Sequence, residues 1–165
     1  TSDTHFGHDN IIRFCNRPFA SKEEMDEELI RRWNEKVGKD DIVFHLGDFC
    51  FSNKDRTTEI VSKLNGKKIL IMGNHDNYSE QFYRDAGFHT VSRFPIIYDN
   101  FYMLSHAPLQ LTETTPYANF YGHVHNDTEY PDWTPHSACV SICRLNYTPA
   151  LLRDVISGKA YRTHA

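Results

Sequence analysis

The apolar positions of this chain fall into two textures. Up to residue 87 they alternate between helical and strand spacing, and from residue 88 they gather in short runs. In "SKEEMDEELIRRWNEKV" (21–37), Met25, Leu29, Trp33 and Val37 recur every fourth residue, which predicts one face of a helix. Ser21 and Glu24 have capping-box spacing, acids precede bases as the helix dipole prefers, and Gly38 offers a stop. The run Ile42 to Leu46 in "DIVFHLGDF" predicts a buried strand that breaks at Gly47. A second helix is predicted from Asp55 to Leu64, ended by Asn65 and Gly66. "KKILIMGNHD" then repeats the grammar with a strand from Lys68 to Met72, a glycine, and polar side chains at once.

Beyond residue 88, "FHTVSRF", "PIIYD", "FYMLSHAP", "ANFYGHVH" and "ACVSICRL" predict antiparallel strands joined by tight turns, and "PALLRDVISG" a last short helix. No repeat, low-complexity tract or Pro/Gly/Ser-rich linker divides the chain, so a single domain is expected over residues 1–165. Strands that follow helices and deliver polar side chains just past their C-terminal ends form the α/β pattern in which sites assemble at one sheet edge.

Composition narrows the partners. At 165 residues, 39% hydrophobic and 13% aromatic, the chain can build one core without staples. A net charge of −4 supplies no basic field. A stable nucleic-acid complex is therefore not expected, although a nucleotide remains open as a substrate. Cys15, Cys50, Cys139 and Cys143 form no CxxC pair and are expected to be reduced thiols. No signal-like start is present and no apolar run approaches the ~20 residues of a spanning helix, so a cytoplasmic protein without membrane contact is expected. Oligomeric state is left open.

The candidate chemistry lies in five separated pieces: Asp3-x-His5, Gly47-Asp48, Gly73-Asn74-His75-Asp76, His106, and Gly122-His123-Val124-His125. Each alone reads as ordinary turn chemistry, with Gly73 and Asn74, for example, at positive φ. Their order changes that reading, since each follows a predicted strand or stands where a first strand would end. Two divalent ions roughly 3.5–4 Å apart need a bridging carboxylate and several further ligands, more than one loop can present.

The ordered set DxH, GD, GNHD, H, GHxH, running from residue 3 to residue 125, resembles the calcineurin-like metallophosphoesterases, and among them the small cap-less bacterial and phage phosphoesterases. The resemblance implies a metallo-dependent phosphatase-like fold, a four-layer αββα sandwich of two mixed β-sheets flanked by helices. It implies that Asp3, His5 and His125 bind one metal, that Asn74, His106 and His123 bind the other, and that Asp48 bridges them. In extended backbone the side chains of His123 and His125 would point the same way, each toward its own ion. The donors are imidazole, carboxylate and amide, compatible with Mn, Fe, Zn, Ni or Co, and the resemblance points to manganese first.

The implied activity is hydrolysis of a small phosphoester, nucleotides included, by a hydroxide bridging the two ions. A diester is favoured because a cap-less site leaves room for a second ester substituent. His75 would protonate the leaving oxygen, and Asp76 is the natural partner to fix the His75 ring. A phosphomonoesterase or nucleotidase, a nuclease, and a non-catalytic metal-binding scaffold are the alternatives. His8 and Arg13 are the candidates for contacting substrate phosphate, with Asn10 in the same neighbourhood. His45 reads as a core histidine and Cys50 as a packed thiol, while Cys139 and Cys143 lack visible metal-binding partners. The family pattern also expects an apolar strand before Asp3, where only Thr1 and Ser2 stand, so the first strand is expected to be truncated.

Overall fold

The computed structural model describes residues 1–112 and 114–164, with side chains as far as Tyr161. Helix α1 (Asp9–Phe14) leads into α2 (Lys22–Lys36), where Ser21 Oγ accepts from the Glu24 N–H and Glu24 accepts from the Ala20 N–H. Met25, Leu29 and Trp33 are buried along one face, as the four-residue spacing requires. The helix ends on Val37 in an extended conformation rather than on a left-handed glycine.

Strand β1 (Ile42–His45), helix α3 (Lys54–Lys63), strand β2 (Lys67–Ile71), helix α4 (Glu80–Ala86) and strand β3 (Thr90–Ser92) follow. The three strands form one sheet in the order β1-β2-β3. Both of its faces are buried. Val43 and Leu70 meet the helices, together with Trp33, Ile60 and Tyr83, while Leu46 and Ile71, just beyond or at the strand ends, meet the second sheet. That second sheet, in the order β4-β5-β6-β8-β7, contains β4 (Ile96–Tyr98), β5 (Tyr102–Leu104), β6 (Ala118–Tyr121), β7 (Trp133–Thr134) and β8 (Ser137–Cys139). Leu104, Phe120 and Ala138 pack back against Leu46 and Ile71, with Val155 of α5 (Leu152–Ile156) in the same cluster.

Two sheets flanked by helices match the sequence reading, with one difference of detail: the first sheet is parallel in all three strands, and only the second is mixed. The expectation of antiparallel pairing beyond residue 88 is corrected. β3 pairs parallel with β2, and β6 lies parallel to both β5 and β8. Only β4–β5 and β7–β8 are antiparallel. The connections from β5 to β6 and from β6 to β8 are long enough to cross over, as parallel pairing demands. The β4–β5 turn spans Asp99 to Phe101 between paired Tyr98 and Tyr102; Asp99 and Asn100 are left-handed at φ 52° and 53°, and Phe101 N–H donates to Tyr98 O at 3.2 Å.

Residues 1–6 are anchored between the sheets. Leu46 N–H donates to Thr1 O (2.9 Å), Asp3 N–H to Gly47 O (2.9 Å) and His5 N–H to Asp48 O (3.0 Å). On the other side Ile142 N–H donates to Ser2 O (3.0 Å). The segment thus runs parallel to the end of β1 and ties it to the chain leaving β8. No helix among the described residues is long and apolar enough to cross a membrane.

Candidate metal centre

All four strand-end loops open on one edge: β1 leads to Asp48, β2 to Asn74, β5 to His106 and β6 to His123. The loops approach so closely that a Cβ on Gly73 would stand 2.3 Å from Asp48 Oδ1 and 2.5 Å from the Asp48 nitrogen. Gly47, at φ +90°, passes the Gly73 backbone as tightly, with a would-be Cβ 2.5 Å from the Gly73 nitrogen.

Two groups of donors form there, and they share Asp48. Asp3, His5, Asp48 and His125 present ligand atoms within 4.8 Å of one another, and so do Asp48, His106 and His123. One oxygen, Asp48 Oδ2, lies 3.5 Å from His5 Nε2 and 3.5 Å from His106 Nε2. Asn74 Oδ1 joins the second group, 2.9 Å from His106 Nε2, and His123 Nδ1 is 3.2 Å from the same nitrogen. His125 Nε2 is 4.0 Å from Asp3 Oδ1.

The arrangement fits cations. His106 Nδ1 faces the Leu46 carbonyl at 2.8 Å and so carries the ring proton, leaving Nε2 as a lone pair. That lone pair faces Asn74 Oδ1 and Asp48 Oδ2, a set of acceptors that a cation placed among them would satisfy. His5 is buried with neither ring nitrogen hydrogen-bonded, a costly state for an imidazole without a ligand. Burial, reinforced by His125, Arg17 and the neighbouring histidines, drives the His5 pKa far down and keeps the ring neutral.

The backbone differs from the extended geometry expected at the last motif. His123 and His125 have φ 69° and 46°, so their side chains converge from a turn rather than by strand alternation. Asp3, His5 and Asp48 are also left-handed, at φ 55°, 50° and 55°. Gly73 and Asn74, by contrast, are not at positive φ.

The Asp76 carboxylate does not pair with the His75 ring. Its Oδ2 accepts from the N–H groups of Asp48 and Gly73, both at 2.8 Å, and its Oδ1 from Phe49 N–H at 3.0 Å. Burial raises its pKa to about 6 against those three donors. His75 is exposed at the edge of the first group, its ring centroid 5.5 Å from that of His5, while its N–H donates to Asp48 Oδ1 at 2.9 Å. His8 stacks on Phe51 at 4.3 Å and lies 5.5 Å from His5. Arg13 binds Asn10 on the exposed face of α1, and no hydrogen bond among the described residues links it to the donors. His45 is a core histidine: Nε2 meets Thr4 Oγ1 at 3.0 Å and its ring stacks on Trp33.

Several organising residues escaped the sequence reading. Buried Arg17 donates to the carbonyls of Asp3 (2.7 Å) and Thr4 (2.8 Å), and Arg144 donates to those of His125, Asp127 and Tyr130. Asp26 of α2 is buried and accepts from Gly7 N–H at 2.8 Å. Phe51, 46% exposed, stands between His8 and His75. None of these has a local sequence signal, because each acts on residues distant in the chain.

A family model for calcineurin-like phosphoesterases matches residues 1–141. The chain belongs to that family. As a calcineurin-like phosphoesterase it is a metal-dependent hydrolase of phosphoester bonds, and membership implies bound divalent metal ions. An uncharacterized protein of Methanocaldococcus jannaschii is 37% identical over 98% of this chain and 93% of its own length. The gene 66 protein of Mycobacterium phage L5 is 40% identical over 46% of this chain and 38% of its own length. Among solved structures, a protein of unknown function, AQ665, from Aquifex aeolicus matches with a TM-score of 0.71 at 26% identity, covering 94% of this chain and 95% of that one. Pseudomonas putida nuclease MPE shares the fold, with a TM-score of 0.51 at 22% identity over 76% of this chain and 60% of its own.

Proposed function

We propose that this phosphoesterase hydrolyses phosphodiesters at a dinuclear centre in which Asp48 bridges two ions, and that His75 donates the proton to the departing oxygen. The observation that carries the reading is the position of Asp48 Oδ2, 3.5 Å from a histidine nitrogen of each donor group. Asp3, His5 and His125 would hold the first ion, and Asn74, His106 and His123 the second. Manganese suits these imidazole, carboxylate and amide donors. When bound, two such ions supply an acidified water as nucleophile and cationic charge against the phosphoryl oxygens.

The protein's own groups do the rest. The His75 backbone is fixed to Asp48, so its exposed ring hangs over the first donor group, where a leaving oxygen would depart toward solvent. Asn74, His75 and His123 are all exposed, which leaves that side open to a second ester substituent. His8, stacked on Phe51 at the rim, is placed to meet a phosphoryl oxygen or the substituent.

The test is turnover by manganese-loaded protein on aryl phosphodiesters, aryl phosphomonoesters, nucleotides and an oligonucleotide. Diesters are expected to exceed monoesters by about 10-fold or more in kcat/KM. Monoester preference would replace the diester reading. Equal turnover by wild type, Asp48→Asn and His75→Ala would remove the mechanism altogether.

A further inference from the structure

Three side chains behind the first donor group form a second kind of cluster. The sulfurs of Cys15 and Cys143 and a ring nitrogen of His125 all lie within 4.8 Å of one another, with Cys143 Sγ 4.0 Å from His125 Nδ1. All four cysteines of the chain are free, so both thiols are available. Cys15 and Cys143 are 128 positions apart by number, and only the fold brings them together.

We propose that Cys15, Cys143 and Nδ1 of His125 form a separate site for one thiophilic cation of the zinc class. The donor set differs in kind from the oxygen-rich groups around Asp48. Two thiolates and an imidazole select soft or borderline ions such as zinc or cadmium, and discriminate against manganese and magnesium. Bonds of about 2.3 Å to sulfur and about 2.0 Å to nitrogen put the donors of a tetrahedral ion roughly 3.5–3.8 Å apart, so donors that now lie within 4.8 Å of one another close on an ion by drawing in by at most about 1 Å.

The surroundings hold these donors in place. Cys15 caps the end of α1, and its carbonyl accepts from Asn126 Nδ2 at 2.7 Å, which ties it to the loop carrying His125. Arg144, next to Cys143, holds the His125 carbonyl from the other side. Cys143 also lines a surface cleft of about 490 Å³, beside Asn126, Tyr130 and Asp132, through which an ion and a fourth, water ligand can arrive.

Binding would release to solvent the protons that Cys15, Cys143 and His125 Nδ1 hold among them. Nε2, on the opposite edge of the ring, remains directed at Asp3. One imidazole is therefore shared, and a soft ion behind it would fix the orientation of a residue in the front cluster. If ions occupy both sides, the ring gives up its last N–H proton and bridges them.

The probe is cadmium titrated into the full chain. It should produce a near-ultraviolet thiolate-to-cadmium charge-transfer band that saturates at one thiolate-bound ion per chain. Cys15→Ser and Cys143→Ser should each abolish the band, and Cys139→Ser should keep it. A parallel measurement needs no variant: zinc should slow iodoacetamide alkylation of Cys143 in the wild type by about 10-fold or more, followed by peptide mass mapping, and a chelator should reverse the protection. Absence of the band, its survival after both cysteines are replaced, or alkylation indifferent to zinc would each overturn the site. Both readouts report sulfur ligation and not hydrolysis, so they stand apart from the diesterase reading.

Discussion

The carboxylate of Asp76 holds the backbone of Asp48, whose N–H donates to Asp76 Oδ2 at 2.8 Å. The same oxygen accepts from Gly73 and the other from Phe49, so a single buried side chain clamps the loop after β1 to the loop after β2. Asp76→Ala leaves three backbone donors without partners and should cost about 3–5 kcal/mol in urea unfolding. Affinity for the ions should fall with it, and excess manganese should restore part of the turnover. A clamp leaves the pH dependence of the residual activity unchanged; a displaced limb would mean that Asp76 serves the His75 ring after all.

Asp48→Asn keeps the shape of the side chain and removes its charge and one of the oxygens proposed to bridge the ions. Elemental analysis should find ion content dropping from two per chain to one, and turnover should fall by about 100-fold or more. Two tightly held ions in the variant would contradict a bridging role.

For His75→Ala the size of the loss should depend on the leaving group. A diester with a poor alkyl leaving group needs the proton, and its kcat should fall by roughly 10²–10⁴. A nitrophenyl diester, whose anion departs unaided, should lose far less. Equal losses on both would assign His75 to binding.

Acidification should destabilise the metal-free protein through His45. Burial, the first and largest cause, holds its pKa well below the ordinary value, so the ring stays neutral in the folded chain while the unfolded chain takes up a proton below about pH 6.5. The unfolded state then binds more protons. Stability is therefore lost as pH falls, by about 1.4 kcal/mol per unit for each such histidine. In urea unfolding between pH 6.5 and 4.5, His45→Gln should flatten the slope by about one proton relative to wild type, and parallel slopes would refute the assignment.

Gly73→Ala tests the contact between loops. The added methyl would collide with both the nitrogen and Oδ1 of Asp48, neither of which can yield without moving the carboxylate proposed to bridge the ions. A loss of about 2 kcal/mol or more is expected, with weakened ion binding measured by calorimetry.

The sequence was most legible where chemistry and local grammar coincide. Asp48 and Asn74 sit one residue past a glycine that ends an apolar strand, and such positions announce themselves without a partner in view. Ser21 capping Glu24 N–H is equally local. The long-range relationships were not legible. Nothing near Arg17 or Arg144 indicates that each grips carbonyls of another loop, and nothing in Cys15 points to Cys143. The expected antiparallel pairing beyond residue 88 failed for the same reason: short β-rich runs look alike whether the chain between them makes a hairpin or crosses over. Asp76 follows His75 directly, which suggested a pair, yet its burial beneath the turn aims it at backbone instead.

The left-handed conformations of Asp3, His5, Asp48, His123 and His125 bear on any attempt to move this centre elsewhere. Such a backbone costs on the order of 1–3 kcal/mol at each non-glycine position, and persists only where the surrounding loops enforce it. Regular strands and helices cannot present side chains at these angles. A transplant that copies the donors onto a new scaffold, without the turns that bend the chain beneath them, would carry the right elements and miss the right directions.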